Sequence, residues 1–280
     1  MADSNRAEPL PGLLDGLTAD ARGWLDRARA DGDLPVLFPQ LPRRLGRIAM
    51  GGGVQRHSGA TLDLGAWRTC DGGALLLLET RTPSADELVD LYLRGDLEER
   101  TMVLRALACL PLGSATATLL GEVQRSNTVP HFAAAVCDSD LLIRARDAGV
   151  LDADDANRML LKLAFVDLPL ARVFDATRLA NTELSRMLQD LASEREAAGR
   201  RVWRDTNLLI AHAPTAGTLA RIAGGLEHGD DAHRIAAARG AAHIADPVLL
   251  RLARERLDRE PSAAVRTELA AALRAAERTP

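Results

Sequence analysis

Lysine is nearly missing from this chain: of its 35 basic residues only Lys162 is a lysine, and the rest are arginines. An arginine keeps its proton in a protein, so amine acid–base or imine chemistry is confined to that one position. Lys162 stands in the apolar run Met159 to Phe165, where a desolvated ammonium could act as acid, base or nucleophile; a buried ion pair is the structural alternative. Aromatic residues are only 3% of the chain, too few to wall a carbocation pocket or to favour extensive sheets. Cys70, Cys109 and Cys137 lie far apart with no Cys-x-x-Cys, which argues against a disulfide framework or a zinc ribbon and for a reducing compartment.

Other absences narrow the chemistry. No strand–Gly-x-Gly-x-x-Gly–helix unit is present, and the triple glycine Gly51–Gly53 lacks the Gly-Lys-Ser/Thr ending of a phosphate loop, so neither a dinucleotide nor a nucleotide cofactor is expected. The six histidines include no pair at i, i+4, and no metal is expected. A Gly-x-Ser-x-Gly elbow is missing too. The net charge of −4 argues against a nucleic-acid partner. The N-terminus shows no signal pattern, and the longest strongly apolar stretch, Ala74 to Leu78, is far below bilayer length. A cytoplasmic protein without stable membrane insertion is expected.

What is present is alanine and leucine at helical spacing, in a chain that is 47% hydrophobic, enough for a sizeable core. The expected fold is all-α, a bundle of about 12–14 short helices separated by caps and breakers. Residues 1–12 read as a loose tail, 13–30 as the first helix, and 50–65 as a long loop. Helices follow at 66–80, 84–94, 96–110, 114–126, 128–137, 140–148, 153–167 and 182–198. Ser84 with Glu87 fits a capping box, and Asp96 and Asp152 are good N-caps. In the tail, the segments starting at Asp231 and Ala263 align at an offset of about 32 residues, which gives the fold HEAT-like α-solenoid character.

Between Ser84 and Trp203 runs a recognisable pattern: Asp86-Glu-Leu-Val-Asp-Leu-Tyr92, Gly95-Asp-Leu-Glu-Glu-Arg100, Leu161-Lys-Leu-Ala-Phe165, Arg178-Leu-Ala-Asn181-Thr-Glu-Leu184 and Ala197-Ala-Gly-Arg200. It resembles the EboA family, bacterial proteins of specialised-metabolite operons described as metabolite-traffic proteins. The chain departs from the family pattern over Val136 to Asp155. The resemblance covers 84–203 well and 13–80 loosely and implies an EboA-like helical domain over 13–203, with a small pathway intermediate as partner and other pathway proteins as candidate further partners; it says little of 204–280, which the repeat pattern alone makes a HEAT-like extension.

Asn157, Lys162, Arg178, Asn181 and Arg186 are the polar positions that could converge between central helices, since buried polar groups need partners. Lys162 and Arg178 are the candidates for catalysis, and Asn157, Asn181, Arg186 and His131 for ligand binding. The plainer reading makes Asn181 an N-cap and His131 a core residue. Three functions stay open: a carrier of a natural-product intermediate, a cofactor-free isomerase, cyclase or condensing enzyme, and a HEAT-like scaffold for another protein.

Overall fold

The computed structural model describes residues 8–276; most of the tail expected at 1–12 therefore lies outside the described residues. Two compact units divide the chain. The first comprises the described residues up to Ala156 with Arg172–Phe174, and the second comprises Asn157–Ala171 with the residues from Asp175 onward. The division falls inside a helix, and the expected boundary at 203/204 lies within the second unit.

The first unit contains α1 (Ala19–Ala30), the short α2 (Leu34–Leu37) and α3 (Leu41–Leu45), a hairpin of β1 (Val54–His57) and β2 (Ala60–Asp63), then α4 (Thr69–Arg81), α5 (Ala85–Arg94), α6 (Leu97–Ala106), α7 (Ser114–Arg125), α8 (Val129–Val136) and α9 (Leu141–Asp147). Helix α4 is its centre. Every residue from Thr69 to Leu78 is buried, as expected for a helix that is apolar all round, and α1, α3 and α6 pack on it. The one acid in that stretch, Asp71, is fully buried. Arg68 donates to it through its backbone N–H at 2.8 Å and its side chain at 3.1 Å, and Arg105 of α6 donates to the same carboxylate.

Caps behave as their sequence suggests. Ser84 and Glu87 close a reciprocal box at 3.3 and 2.8 Å, and Asp96 accepts from the N–H groups of Glu98 and Glu99. The first helix starts later than expected, at Ala19, because Thr18 caps it after a series of turns that buries Leu10, Leu13 and Leu17. The expected loop at 50–65 contains the hairpin. Its two-residue turn is Ser58-Gly59, at φ 48° and 78°, the left-handed pair that twists with the strands. Ser-Gly is a weaker signal than Asn-Gly, and four-residue strands give little alternation to detect.

Helix α10 (Ala153–Phe165) spans the division at 156/157. The second unit continues with α11 (Thr182–Ala197), α12 (Thr206–Ala211), α13 (Thr218–Leu226), α14 (Asp231–Ile244), α15 (Pro247–Leu257) and α16 (Ala263–Ala276). Helix α14 packs on α12, α13 and α16, and α15 on α13 and α16, over a core of Ile222, Leu226, Ala237, Ala241, Leu249, Val265 and Leu269. Small alanines let the helices approach closely. The described residues are all-α apart from the hairpin and isolated bridges, and HEAT-like character stays an expectation.

A second buried carboxylate ties this region together. Glu260 is 3% and Arg234 5% exposed; Arg234 donates to it bidentately at 3.0 and 3.1 Å, Arg256 at 2.8 Å and the Ser262 N–H at 2.9 Å. Burial alone would push this carboxyl up, but Arg256, the Ser262 N–H and Arg234 together hold it at about 2, below its ordinary 4.5. A depressed folded-state pKa contributes stability that is present above 4.5 and lost as the pH falls toward 2. Glu260→Gln leaves the buried Arg234 guanidinium with only the half-exposed Asp231 as counter-charge and should cost about 3 kcal/mol. Urea melts should show that loss at neutral pH and a shrinking gap between variant and parent as the pH is lowered through this window.

Candidate functional site

The first unit holds a cavity of about 890 Å³ whose wall is mostly apolar, with Leu78, Leu88, Leu110 and Pro111 among its residues. A mostly apolar cleft with a few convergent polar groups is the usual form of a small-molecule site. The polar groups come from two directions. The hairpin turn delivers His57 and Ser58, and the last turn of α4 delivers Glu79. His57 Nε2 lies 2.9 Å from both carboxylate oxygens of Glu79, and Ser58 Oγ donates to Oε1. Both partners of the His57–Glu79 pair are about nine-tenths buried, at 11% and 10% side-chain exposure, so solvent screens the interaction little.

This geometry sets the roles. An Nε2–H aimed at the carboxylate leaves Nδ1 as the second imidazole nitrogen, a lone pair in the neutral ring and a donor in the charged one. Ser58 shares the carboxylate with His57 instead of handing its proton to the ring, so the three residues are not wired as a nucleophile relay. Cys109 also lines the cavity, but burial pushes its thiol well above the ordinary range, which disfavours the thiolate a nucleophile needs. Cys137 likewise is pushed up to about 12 by burial. Arg56 and Arg144 add positive charge; Arg144 donates to the Ala108 carbonyl at 2.6 Å. Among the described residues no three His, Cys, Asp or Glu side chains group as metal ligands.

Sequence reasoning named neither His57 nor Glu79 as part of a site. The available signal was the short Val54-Gln-Arg-His57 segment ahead of Ser58-Gly59, which, read as a strand and turn, puts His57 at a hairpin end.

The residues chosen from sequence divide between the units. His131 belongs to the first; it is 3% exposed on α8, with Nε2 2.9 Å from the Leu97 carbonyl oxygen. The other five belong to the second. Asn157 and Asn181 are brought together, their amides exchanging hydrogen bonds at 3.3 and 2.7 Å, while Asn181 Oδ1 also accepts from the Leu184 N–H at 2.9 Å and so caps α11. Arg186 is exposed and donates to Glu183 at 2.6 and 3.0 Å and to Asp190 at 2.7 Å. It lines a recess of about 360 Å³ with Gln189 and Thr215. Lys162 is half-buried on α10, and burial lowers its pKa. Arg178 is exposed on the 3-10 turn Ala176–Leu179. Neither Lys162 nor Arg178 lines the 890 Å³ cavity or the second unit's cavity of about 750 Å³.

Residues 72–210 match the family model described as metabolite traffic protein EboA. No curated protein matches the chain. A solved structure, human deoxyhypusine hydroxylase in complex with glycerol, aligns over 92% of this chain and 97% of that one at 13% identity, with a TM-score of 0.33 that is too low for a shared fold. No helix among the described residues is long and apolar enough to cross a membrane.

The Asn157–Asn181 pair makes a separable prediction. Asn181→Ala removes an N-cap, at about 1 kcal/mol, and leaves the buried Asn157 amide without its partner, at roughly 1–3 kcal/mol more. A urea titration of the variant should show the sum, and Asn157→Ala, which removes the buried amide itself and leaves Asn181 its cap and its bond to the Leu179 carbonyl, should cost less.

Proposed function

We propose that this chain, which belongs through residues 72–210 to the EboA family of metabolite traffic proteins, holds an amphiphilic small-molecule intermediate of a bacterial specialised-metabolite pathway in the first unit's cavity. Two lines of support meet there. The family description supplies metabolite handling, and the cavity supplies a volume of about 890 Å³, within the range of small-molecule sites. The single observation that carries the reading is the His57–Glu79 pair set in a wall of leucine and proline. Leu88 and Leu110 would take the apolar body of the ligand. His57 Nδ1 and the arginines would meet its polar end, and Glu79 would fix the imidazole's orientation.

A second reading draws on a different observation. Burial lowers the pKa of Lys162, the direction that frees an amine for proton transfer or imine formation. In that reading Lys162 acts with Arg178 as a cofactor-free centre, with Asn157, Asn181 and Arg186 as ligand-binding residues, and the protein converts the intermediate as well as holding it.

Purified protein mixed with extracts from its own pathway, then examined by native mass spectrometry, separates the two. A carrier retains one small molecule stoichiometrically; an enzyme releases a changed product. Glu79→Gln should weaken retention about tenfold or more, the loss of one charge-assisted hydrogen bond, and retention unchanged in that variant removes the first unit's cavity from consideration. Conversion that survives in Lys162→Arg, which keeps the charge but not an accessible neutral amine, eliminates the lysine chemistry.

A further inference from the structure

The second unit has its own cavity, of about 750 Å³, between α11, α12, α13 and the start of α14. Its wall is more polar than that of the first. Asn207 of α12 lines it at 6% exposure, and its Oδ1 is buried with no hydrogen-bond partner among the described residues. A buried amide oxygen left unpaired carries its full desolvation cost, so a native chain that keeps one either loses stability for nothing or satisfies it with something that arrives. The surroundings make room for this side chain. A Cβ at Gly225, which also lines the cavity, would stand 2.1 Å from Asn207 Nδ2, so only glycine tolerates the amide there.

Charge on the wall is uneven. Its two acids are already engaged, Glu196 by Arg221 at 2.9 Å and Asp190 by Arg186 at 2.7 Å. Arg200 and Arg201 are exposed on the same wall. Arg201 reaches only Asp230, at 3.9 Å, and Arg200 makes no ion pair among the described residues. His228 and His233 stack with ring centroids 4.0 Å apart, and His228 Nδ1 accepts from the Asp230 N–H at 3.0 Å. That bond fixes His228 as the Nε2–H tautomer, a further donor.

We propose that this cavity is a second binding site, for a small organic anion that carries a hydroxyl or N–H group: Arg200 and Arg201 hold the charge, and Asn207 Oδ1 accepts the donor. The site is independent of the first unit's cavity and of the carrier reading. The arginines alone would take any anion; the orphaned carbonyl selects for the donor.

Calorimetric titration of the full chain tests it, with 3-phosphoglycerate, gluconate and glutamate as donor-bearing probes and sulfate and propionate as anions without a donor. At least one probe of the first group should bind about tenfold or more tighter than both of the second, the scale of one hydrogen bond to a charged or buried group. Asn207→Ala should abolish that preference without lowering the thermal midpoint of the ligand-free protein, because the desolvation cost of the unpaired oxygen leaves with the side chain and offsets the packing lost. Arg200→Gln with Arg201→Gln, at exposed positions that folding does not need, should weaken every anion together. Glu79→Gln should change none of these titrations. The proposal is overturned if no donor-bearing probe binds, if the preference survives in Asn207→Ala, or if that variant is destabilised without ligand as a structural amide would be. It is equally overturned if the double arginine variant binds as the parent does.

Discussion

Each of the two units is organised around one buried carboxylate held by two arginines. Asp71 has no exposed surface and is gripped by Arg68 and Arg105; Glu260 is gripped by Arg234 and Arg256. A carboxylate moved out of water costs several kcal/mol, recovered only when charged donors occupy its lone pairs in good geometry. The planar guanidinium does this with parallel N–H groups, as Arg234 does on both Glu260 oxygens. In this way the near-absence of lysine becomes a structural matter. A lysine ammonium offers a point charge without the fork, and either clamp would lose its bidentate fit.

The clamps also decide where polar chemistry can be placed. Asp71 fastens α4 to α6, and the far end of α4 presents Glu79 to the cavity. Arg234, besides holding Glu260, donates to the carbonyls of His228 and Gly229 at 2.6 and 2.9 Å, and so steadies the turn that carries His228, whose ring stacks on His233 of α14. In both places a rigid interior contact lies on the same element as a cavity residue. Binding groups work best when their own positions are fixed beforehand, since ordering them at the moment of binding subtracts from affinity.

Much of the helical framework was legible because its signals are local. Ser84 with Glu87, Asp96 and Asp152 announce helix starts through hydrogen bonds spanning two or three residues, and Asn181 was legible as the cap of α11, but its pairing with Asn157 was not. The His57–Glu79 pair was not legible. Its members are 22 residues apart and meet only because a hairpin, too short to show alternation, turns at Ser58-Gly59. Rarity singled out Lys162, but composition holds no information about which side chains share a cavity wall. The orphaned oxygen of Asn207 is invisible in sequence for a related reason, because what defines it is the partner that packing failed to provide.

The wall of the first unit's cavity is drawn from two kinds of sequence. Glu79, Leu88 and Leu110 fall inside the stretch that matches the family, whereas Arg56, His57 and Ser58 fall before it. Floor and lip therefore reside on separable segments. A hairpin can change its side chains without disturbing the helices beneath, since surface turns tolerate substitution that a packed core does not. The cavity's polar hairpin side chains and its apolar helical side chains can thus vary separately, each without disturbing the other.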